Sequence, residues 1–307
     1  MAGITDRPFR DLVASFGAGL VVSEMVASQE MVQAHRGMRA RAALGLGAAA
    51  TSVQIAGREA RWMAEAARML EDRGAAMVDI NMGCPAKKVT GGASGSALMR
   101  HPGLAAELIE AVVRAVRVPV TVKMRLGWDD RDRNAPQIAR AAEAAGAAMV
   151  TVHGRTRCQF YQGRADWGAI AAVRAAVSIP VVANGDVTDL ASARAALAAS
   201  GAAGVMVGRG AQGAPWILAR IAAGLAGRAA PPALAGGALS GVVAGHYEAM
   251  LAFYGKDLGA RVARKHLGWY MDAAGAPPAL RREVLTASGP TETLRLIPAA
   301  LGAREAA

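Results

Sequence analysis

The chain has 307 residues, 53% hydrophobic and 19% charged, which excludes a disordered chain and suits one α/β barrel of about 250 residues with an appendage, or two ordinary domains. No apolar run reaches the roughly 18 residues of a membrane span, MAGITDRPFRD lacks the apolar stretch of a secretion signal, and Cys84 and Cys158 alone make no disulfide framework, so the expected setting is cytoplasmic. The net charge of +11 suits a polyanionic partner, although 30 Arg in an Ala- and Gly-rich chain is also what GC-rich coding bias produces.

In chain order, Met1-Ala2-Gly3 reads as the end of a strand, and Asp6 with Pro8 starts a helix over 8–16. Short β-branched runs then alternate with Ala-rich stretches of helical period. The runs are LVVSEM (20–25), TSVQIAG (51–57), MVDINMG (77–83), PVTVKMR (119–125), MVTVHG (149–154), PVVANGD (180–186) and GVMVGRG (204–210). Helices are expected over 59–73, 102–116, 135–145, 167–177 and 190–200. Continuous apolar strands separated by helices indicate a parallel sheet buried on both faces. Seven strands plus the Met1 stub predict a TIM (β/α)8 barrel with its first strand truncated. A doubly wound open sheet is the alternative, but no G-x-G-x-x-G follows an early strand. After Gly213 the strand pattern stops. A linker over 229–237 precedes helical periods at 239–254, 259–273 and 278–285, so the expected division is a barrel over 1–230 and a helical domain over 235–307.

Barrel enzymes place their chemistry at the C-terminal strand ends, which here carry Glu24, Gln54, Asn81, Lys123, His153, Asn184 and Gly208. Cys84 follows one such end in Asn81-Met82-Gly83-Cys84-Pro85, ahead of GGASGSALM (91–99), which reads as a mobile loop. A thiol there serves as nucleophile or proton donor, or is a small buried residue. Cys158 sits in a polar loop without such a frame and reads as incidental. Lys123, His153 and Arg209 end three strands and converge on an anion such as a phosphate. Asn184-Gly185-Asp186 and Gly208-Arg209-Gly210 end the seventh and eighth strands, the usual barrel phosphate site. No histidine has zinc-site spacing. In the tail, Arg261, Arg264, Lys265 and His266 precede Trp269 and Tyr270 at helical spacing. This is either a basic stripe that holds a phosphate backbone, or a solvated face with Trp269 in the core.

MAGITDRPFR, SVQIAG, DINMGCPAKKV, VPVTVKMRLGW, TVHGRTR, IPVVANGD, VMVGRGAQGAPWI and RVARKHLGWYM together resemble, in order, the tRNA-dihydrouridine synthases, most closely the bacterial B-type. The resemblance implies an FMN-binding TIM barrel with a helical C-terminal tRNA-binding domain. It implies NADPH-driven reduction of the C5–C6 bond of uridines in the tRNA D-loop. By the same resemblance Cys84 is the proton donor, Met1 and Ala2 end the strand that touches the flavin, and Gln54 and Lys123 contact the isoalloxazine. His153, Asn184, Gly185, Asp186, Gly208 and Arg209 match flavin and flavin-phosphate positions. Lys87, Lys88 and Arg125 lie beside the site and meet the RNA, as do Arg261, Arg264 and Lys265 of the tail. No obligate protein partner is implied. Family members carry about fifteen further residues, ending in Pro, before the position of Met1. The expectation is that the reading frame continues upstream, since eight strands close such a barrel, and that a chain from Met1 retains FMN poorly. The competing readings are another FMN barrel oxidoreductase acting on a small pyrimidine, and a non-catalytic RNA-binding regulator.

Overall fold

A computed structural model describes residues 1, 3–33, 42–45 and 50–302. The apolar runs form eight short strands: β1 Leu20–Val22, β2 Val26–Ala27, β3 Ala50–Ala56, β4 Met77–Met82, β5 Val120–Arg125, β6 Met149–His153, β7 Val181–Asn184 and β8 Gly204–Met206. All pair in parallel in the order β1-β3-β4-β5-β6-β7-β8, and β2 also pairs with β3. This is the α/β arrangement of a TIM-type barrel. Among the described residues no ladder joins β8 to β1, so the sheet is an arc of that barrel.

The expected strand 20–25 stops at Val22, and a second short strand, β2, follows just beyond the expected run. Ser23 is the reason: its hydroxyl donates to the Glu24 carbonyl at 2.7 Å and accepts the Gln54 N–H at 3.0 Å. A side chain thus stands in for a backbone acceptor for one step of the ladder. Strands β3 and β4 are buried along nearly their whole length, as a sheet covered on both faces requires. Helices Ala60–Asp72, Pro102–Ala115, Ala135–Ala144, Gly168–Ala176 and Leu190–Ser200 cover the outside. They bury Met63, Leu70, Leu108, Ile109, Ile138 and Val173 in one cluster with Val53, Ile80, Val122 and Val152 of the strands. Asp189 and Ser192 make a reciprocal capping box that starts the last of these helices.

The register brings polar strand ends side by side. Gln54 pairs with Asp79, Asn81 with Lys123, Arg125 with His153, and His153 with Asn184. The stretch expected as a mobile loop is half built in: Gly95–Arg100 is a 3-10 helix whose residues 95–99 are buried.

Beyond β8 the chain is helical: Ile217–Leu225, Gly236–Tyr254, Lys256–Ala273, Pro278–Thr286 and Pro290–Ala300. The first and last of these are additions to the expected elements, and the last contains Pro298, which obscures its period in the sequence. Val243, Met250, Leu267, Tyr270, Met271 and Ile297 form a separate apolar cluster in this tail. The tail docks on the N-terminal helix Arg7–Ser15. Phe9 packs against His246 and His266, with ring centroids at 5.8 and 5.2 Å, and the two imidazoles lie 5.0 Å apart. His246 Nδ1 is 3.0 Å from the Tyr270 hydroxyl, while Nε2 of both histidines is buried without a partner. Asp6 caps the N-terminal helix through the Phe9 N–H and also accepts from the Tyr254 hydroxyl, each at 3.0 Å. Among the described residues no helix is long and apolar enough to cross a membrane.

Gly259 marks a close approach of two tail helices, Gly236–Tyr254 and Lys256–Ala273. A Cβ there would lie 2.8 Å from the Leu251 Cα and the Met250 carbonyl oxygen. Alanine is the better helix former by about 1 kcal/mol. Overpacking against backbone costs about 1–3 kcal/mol and wins. Gly259→Ala should therefore lower the denaturation midpoint without changing the slope of the transition; a raised midpoint would show that the helices can part freely.

Candidate active site

The site is organised around a one-way run of hydrogen bonds across three strands. Asp79 lies within β4 and is 5% exposed. Its carboxylate accepts from the Thr121 hydroxyl at 2.6 Å and from Gln54 Nε2 at 2.7 Å. Gln54 Oε1 accepts from Asn81 Nδ2 at 2.7 Å. Asn81 Oδ1 then accepts the backbone N–H groups of Gly83 and Cys84 at 3.1 and 2.9 Å. The carboxylate cannot donate, so every amide above it has one permitted orientation. The Cys84 loop is the end of that run.

The same loop is held from its other side. Ser96 of the 3-10 helix donates both its N–H and its hydroxyl to the Cys84 carbonyl, at 3.1 and 2.8 Å. Gly95, at φ 61°, makes this possible, because a Cβ would sit 3.0 Å from that carbonyl oxygen. Cys84 itself is half-buried.

Across the mouth, Lys123 donates to Asn184 Oδ1 at 3.0 Å, and Asn184 is oriented by its own bond to the Met206 carbonyl at 2.8 Å. Burial pushes the Lys123 ammonium down to about 8, opposed by the Asp79 charge. Burial also pushes Asp79 up to about 6, opposed by its two hydrogen bonds. His153 is held down to about 2, first by burial and then by Lys123, Arg125, Arg155 and Arg209. It is therefore neutral. Asp186, at φ 54°, and Gly185, at φ 111°, bend the chain after β7 so that the Asp186 carboxylate meets Arg155 at 2.6 and 2.9 Å. Arg209 lies over the Tyr161 ring at 4.8 Å, 3.8 Å from Asp186.

Gln54, Asn81, Cys84, Lys123, His153, Asn184, Gly185, Asp186, Gly208 and Arg209 are thus gathered at one end of the sheet. Met1 joins them, its sulfur 3.6 Å from where a Cβ on Gly208 would stand. Ala2 lies outside the described residues. Lys87 and Lys88 are exposed on the short helix Lys87–Thr90 just after Cys84. Arg125 is 1% exposed and braces the Cys84 loop, donating through Nε and one terminal nitrogen to the carbonyls of Gly83, Thr156 and Phe160 at 2.7–2.9 Å. The tail stripe divides. Arg261 and Arg264 are exposed, whereas half-buried Lys265 donates to the Gly3 carbonyl. Asp79, Thr121 and Arg155 are additions to the site. Asp79 left one signal in the sequence, a charge inside an apolar strand run.

Apart from Asp186, which is paired with Arg155, and Glu24, which accepts the Gly3 N–H, the mouth presents donors: Lys123, His153, Asn184 and Arg209. That set takes a ligand rich in acceptors and negative charge. Two open clefts, about 530 and 270 Å3, lie in the helical tail, the smaller bordered by Lys256, Arg261 and Arg264. Neither includes a strand end.

The family model for dihydrouridine synthase (Dus) matches residues 1–304. A protein of Rhodobacter capsulatus named probable tRNA-dihydrouridine synthase is 66% identical over 308 residues, covering 100% of this chain and 94% of that protein. The tRNA-dihydrouridine synthase B of Xanthomonas campestris pv. campestris is 51% identical over 272 residues, 88% of this chain and 81% of that protein. Among solved structures, histamine dehydrogenase from Rhizobium sp. 4-9 superposes with a TM-score of 0.55 at 13% identity, over 80% of this chain and 47% of that one, a likeness of fold alone.

The one-way run makes a prediction at its root. Asp79→Asn can keep the Gln54 link only by turning its N–H2 group toward the Thr121 hydroxyl, which must then accept instead of donate, and the second amide hydrogen is left without a partner. A buried donor left unpaired costs about 1–3 kcal/mol. The variant should melt several degrees below wild type at neutral pH. An unchanged melting temperature would mean that Asp79 already carries a proton there.

Proposed function

This chain belongs to the dihydrouridine synthase family and is an oxidoreductase, and from that premise we propose that it is a cytoplasmic tRNA-dihydrouridine synthase that binds FMN and uses NADPH to reduce the C5–C6 bond of D-loop uridines. The observation that carries this reading is a thiol on a rigidly oriented loop, facing a cluster of donors at the strand ends. The donor set fits a flavin and its phosphate. Lys123 is half-buried with a single hydrogen-bond partner at 3.0 Å, which leaves ammonium N–H groups for a ligand, and Arg209 is half exposed beside the turn after β8. When bound, the flavin supplies the hydride.

The chain's own residues do the rest. Cys84 Sγ carries the proton that the uracil C5 position takes up once C6 has been reduced. Asn81 and Ser96 fix the peptide that bears it. Lys123 stabilises negative charge near the flavin, His153 donates a hydrogen bond, and Arg209 with Asn184, Gly185 and Gly208 receives the phosphate end. Gln54 retains one amide hydrogen for the ring, since its oxygen and its other hydrogen are engaged. The target base must leave its stack to reach the mouth, at a cost of a few kcal/mol. Lys87 and Lys88 beside Cys84, and Arg261 and Arg264 on a tail domain over 235–307, supply the phosphate contacts that offset it.

Cys84→Ala should retain FMN, and NADPH should still reduce it, while dihydrouridine formation on tRNA falls about 10²–10⁴-fold. Near-normal turnover would remove Cys84 from the mechanism. The double replacement Arg261→Ala with Arg264→Ala should weaken tRNA binding and reduce the slope of log affinity against log salt by about one per lost contact. NADPH oxidation without tRNA should not change. A salt slope equal to wild type would make these two arginines a solvated face.

A further inference from the structure

We propose that Arg155, through its pairing with Asp186, is a positioning residue that locks His153 in the neutral form with its proton on Nδ1. His153 then meets its ligand only as a hydrogen-bond donor. This rests on the reading that the strand ends hold the cofactor, and it assigns a role to a residue outside the set carried over by resemblance.

The argument is a count of protons. A guanidinium has five N–H groups and accepts nothing. The Arg155 side chain is 2% exposed, and each of the five has a partner. Nε donates to the Gln162 carbonyl at 3.0 Å. One terminal nitrogen donates to Asp186 Oδ1 at 2.9 Å and lies 3.2 Å from His153 Nε2. The other donates to Asp186 Oδ2 at 2.6 Å and to the Gly163 carbonyl at 2.7 Å. Since Arg155 can only donate, Nε2 must offer its lone pair. The neutral ring then carries its proton on Nδ1. A ring turned over would set carbon Cε1 against the guanidinium and lose the bond.

Packing excludes other placements. The Cδ2–Nε2 edge lies against Gly185, where a Cβ would come within 2.7 Å of Cδ2 and 3.0 Å of Nε2. Gly185 is held in turn by Trp167 Nε1, which donates to its carbonyl at 2.8 Å. Nδ1, on the opposite side of the ring, makes no hydrogen bond to the described residues. The charged groups that act on the imidazole are Lys123, Arg125, Arg155 and Arg209, all cations. Asp186 is the nearby anion, and it is bidentate to Arg155. A proton on Nε2 would meet an N–H head-on, and a ring protonated on both nitrogens would add a fifth positive charge. A lysine at 155 could not replace the fork, because one ammonium cannot meet Asp186, two carbonyls and the ring in a plane.

The test is nitrogen NMR of the full chain with labelled histidine, with and without added FMN. In wild type the His153 signals should report a protonated Nδ1 and a bare Nε2, constant from about pH 5.5 to about pH 8.5. In Arg155→Met the same ring should show mixed tautomers and titrate toward the ordinary value of about 6.5. FMN binding should weaken about tenfold and become pH-dependent, and Arg155→Lys should not restore it. A wild-type His153 that carries its proton on Nε2, or titrates in that range, overturns the proposal. That reading needs only the wild-type chain, so a variant that fails to fold leaves the decision intact. It is also independent of tRNA turnover. A chain that makes no dihydrouridine yet shows the Nδ1–H form loses the proposed reaction and keeps the positioning role.

Discussion

A carboxylate buried inside a parallel sheet can only accept hydrogen bonds, and Asp79 imposes that polarity on the residues above it. Gln54 must turn its nitrogen down and its oxygen up. Asn81 must do the same, and the peptide N–H groups of Gly83 and Cys84 complete the series. Each link contributes only about 1 kcal/mol net, but a reversed link leaves a buried group unpaired and costs more than it ever contributed. The Cys84 loop is therefore held by an orientation rule as much as by packing. Arg125 adds a second restraint by tying Gly83 to the 156–160 loop.

On the other side of the mouth the polarity is reversed. Arg125 and Arg155 are both almost wholly buried, and burial of a guanidinium is costly unless all its donors are met. Backbone carbonyls meet five of the ten N–H groups, Asp186 meets two and His153 one. Burial shifts both Lys123 and His153 toward their neutral forms, and nearby cations add to it, Arg125 at Lys123 and Lys123, Arg125, Arg155 and Arg209 at His153. At neutral pH Lys123, near 8, is still mostly charged, whereas His153, near 2, is not. The mouth thus combines one soft cation, one neutral donor and one half-exposed arginine. Its affinity for anions comes from groups that do not all have to be desolvated together.

Period and composition made the barrel legible because buried strands read as apolar runs and the helices between them bury one apolar stripe of alanines and larger aliphatic residues. Strand-end residues were legible for the same reason: once the strands are placed, Lys123, His153 and Asn184 must share one rim. Hydrogen-bond partners were not. Gln54 and Asp79 are 25 residues apart, Arg155 and Asp186 are 31 apart, and nothing in local spacing pairs them. The bracing contacts of Arg125 were not legible either, because the carbonyls of Thr156 and Phe160 lie 31 and 35 residues away. The stop at Val22 depends on the Ser23 hydroxyl replacing a carbonyl, which propensity does not register.

The seam between the N-terminal helix and the tail contains two imidazoles that have no room for charge. Burial holds His246 near 4, and burial with its neighbours His246 and Lys265 holds His266 near 2, both below the ordinary value of about 6.5. An unfolded or undocked chain takes up these protons as soon as the pH falls below that ordinary value, while the docked form refuses them. Stability present above about pH 6.5 is thus lost progressively on acidification, down to about 4 for His246, with a slope of up to about 1.4 kcal/mol per pH unit for each ring. The seam acts as an acid fuse. The same change acts on the sheet at His153, whose value is held down in the same way, while buried Asp79 opposes it there because its raised value lets the folded state keep a proton longer than the unfolded one.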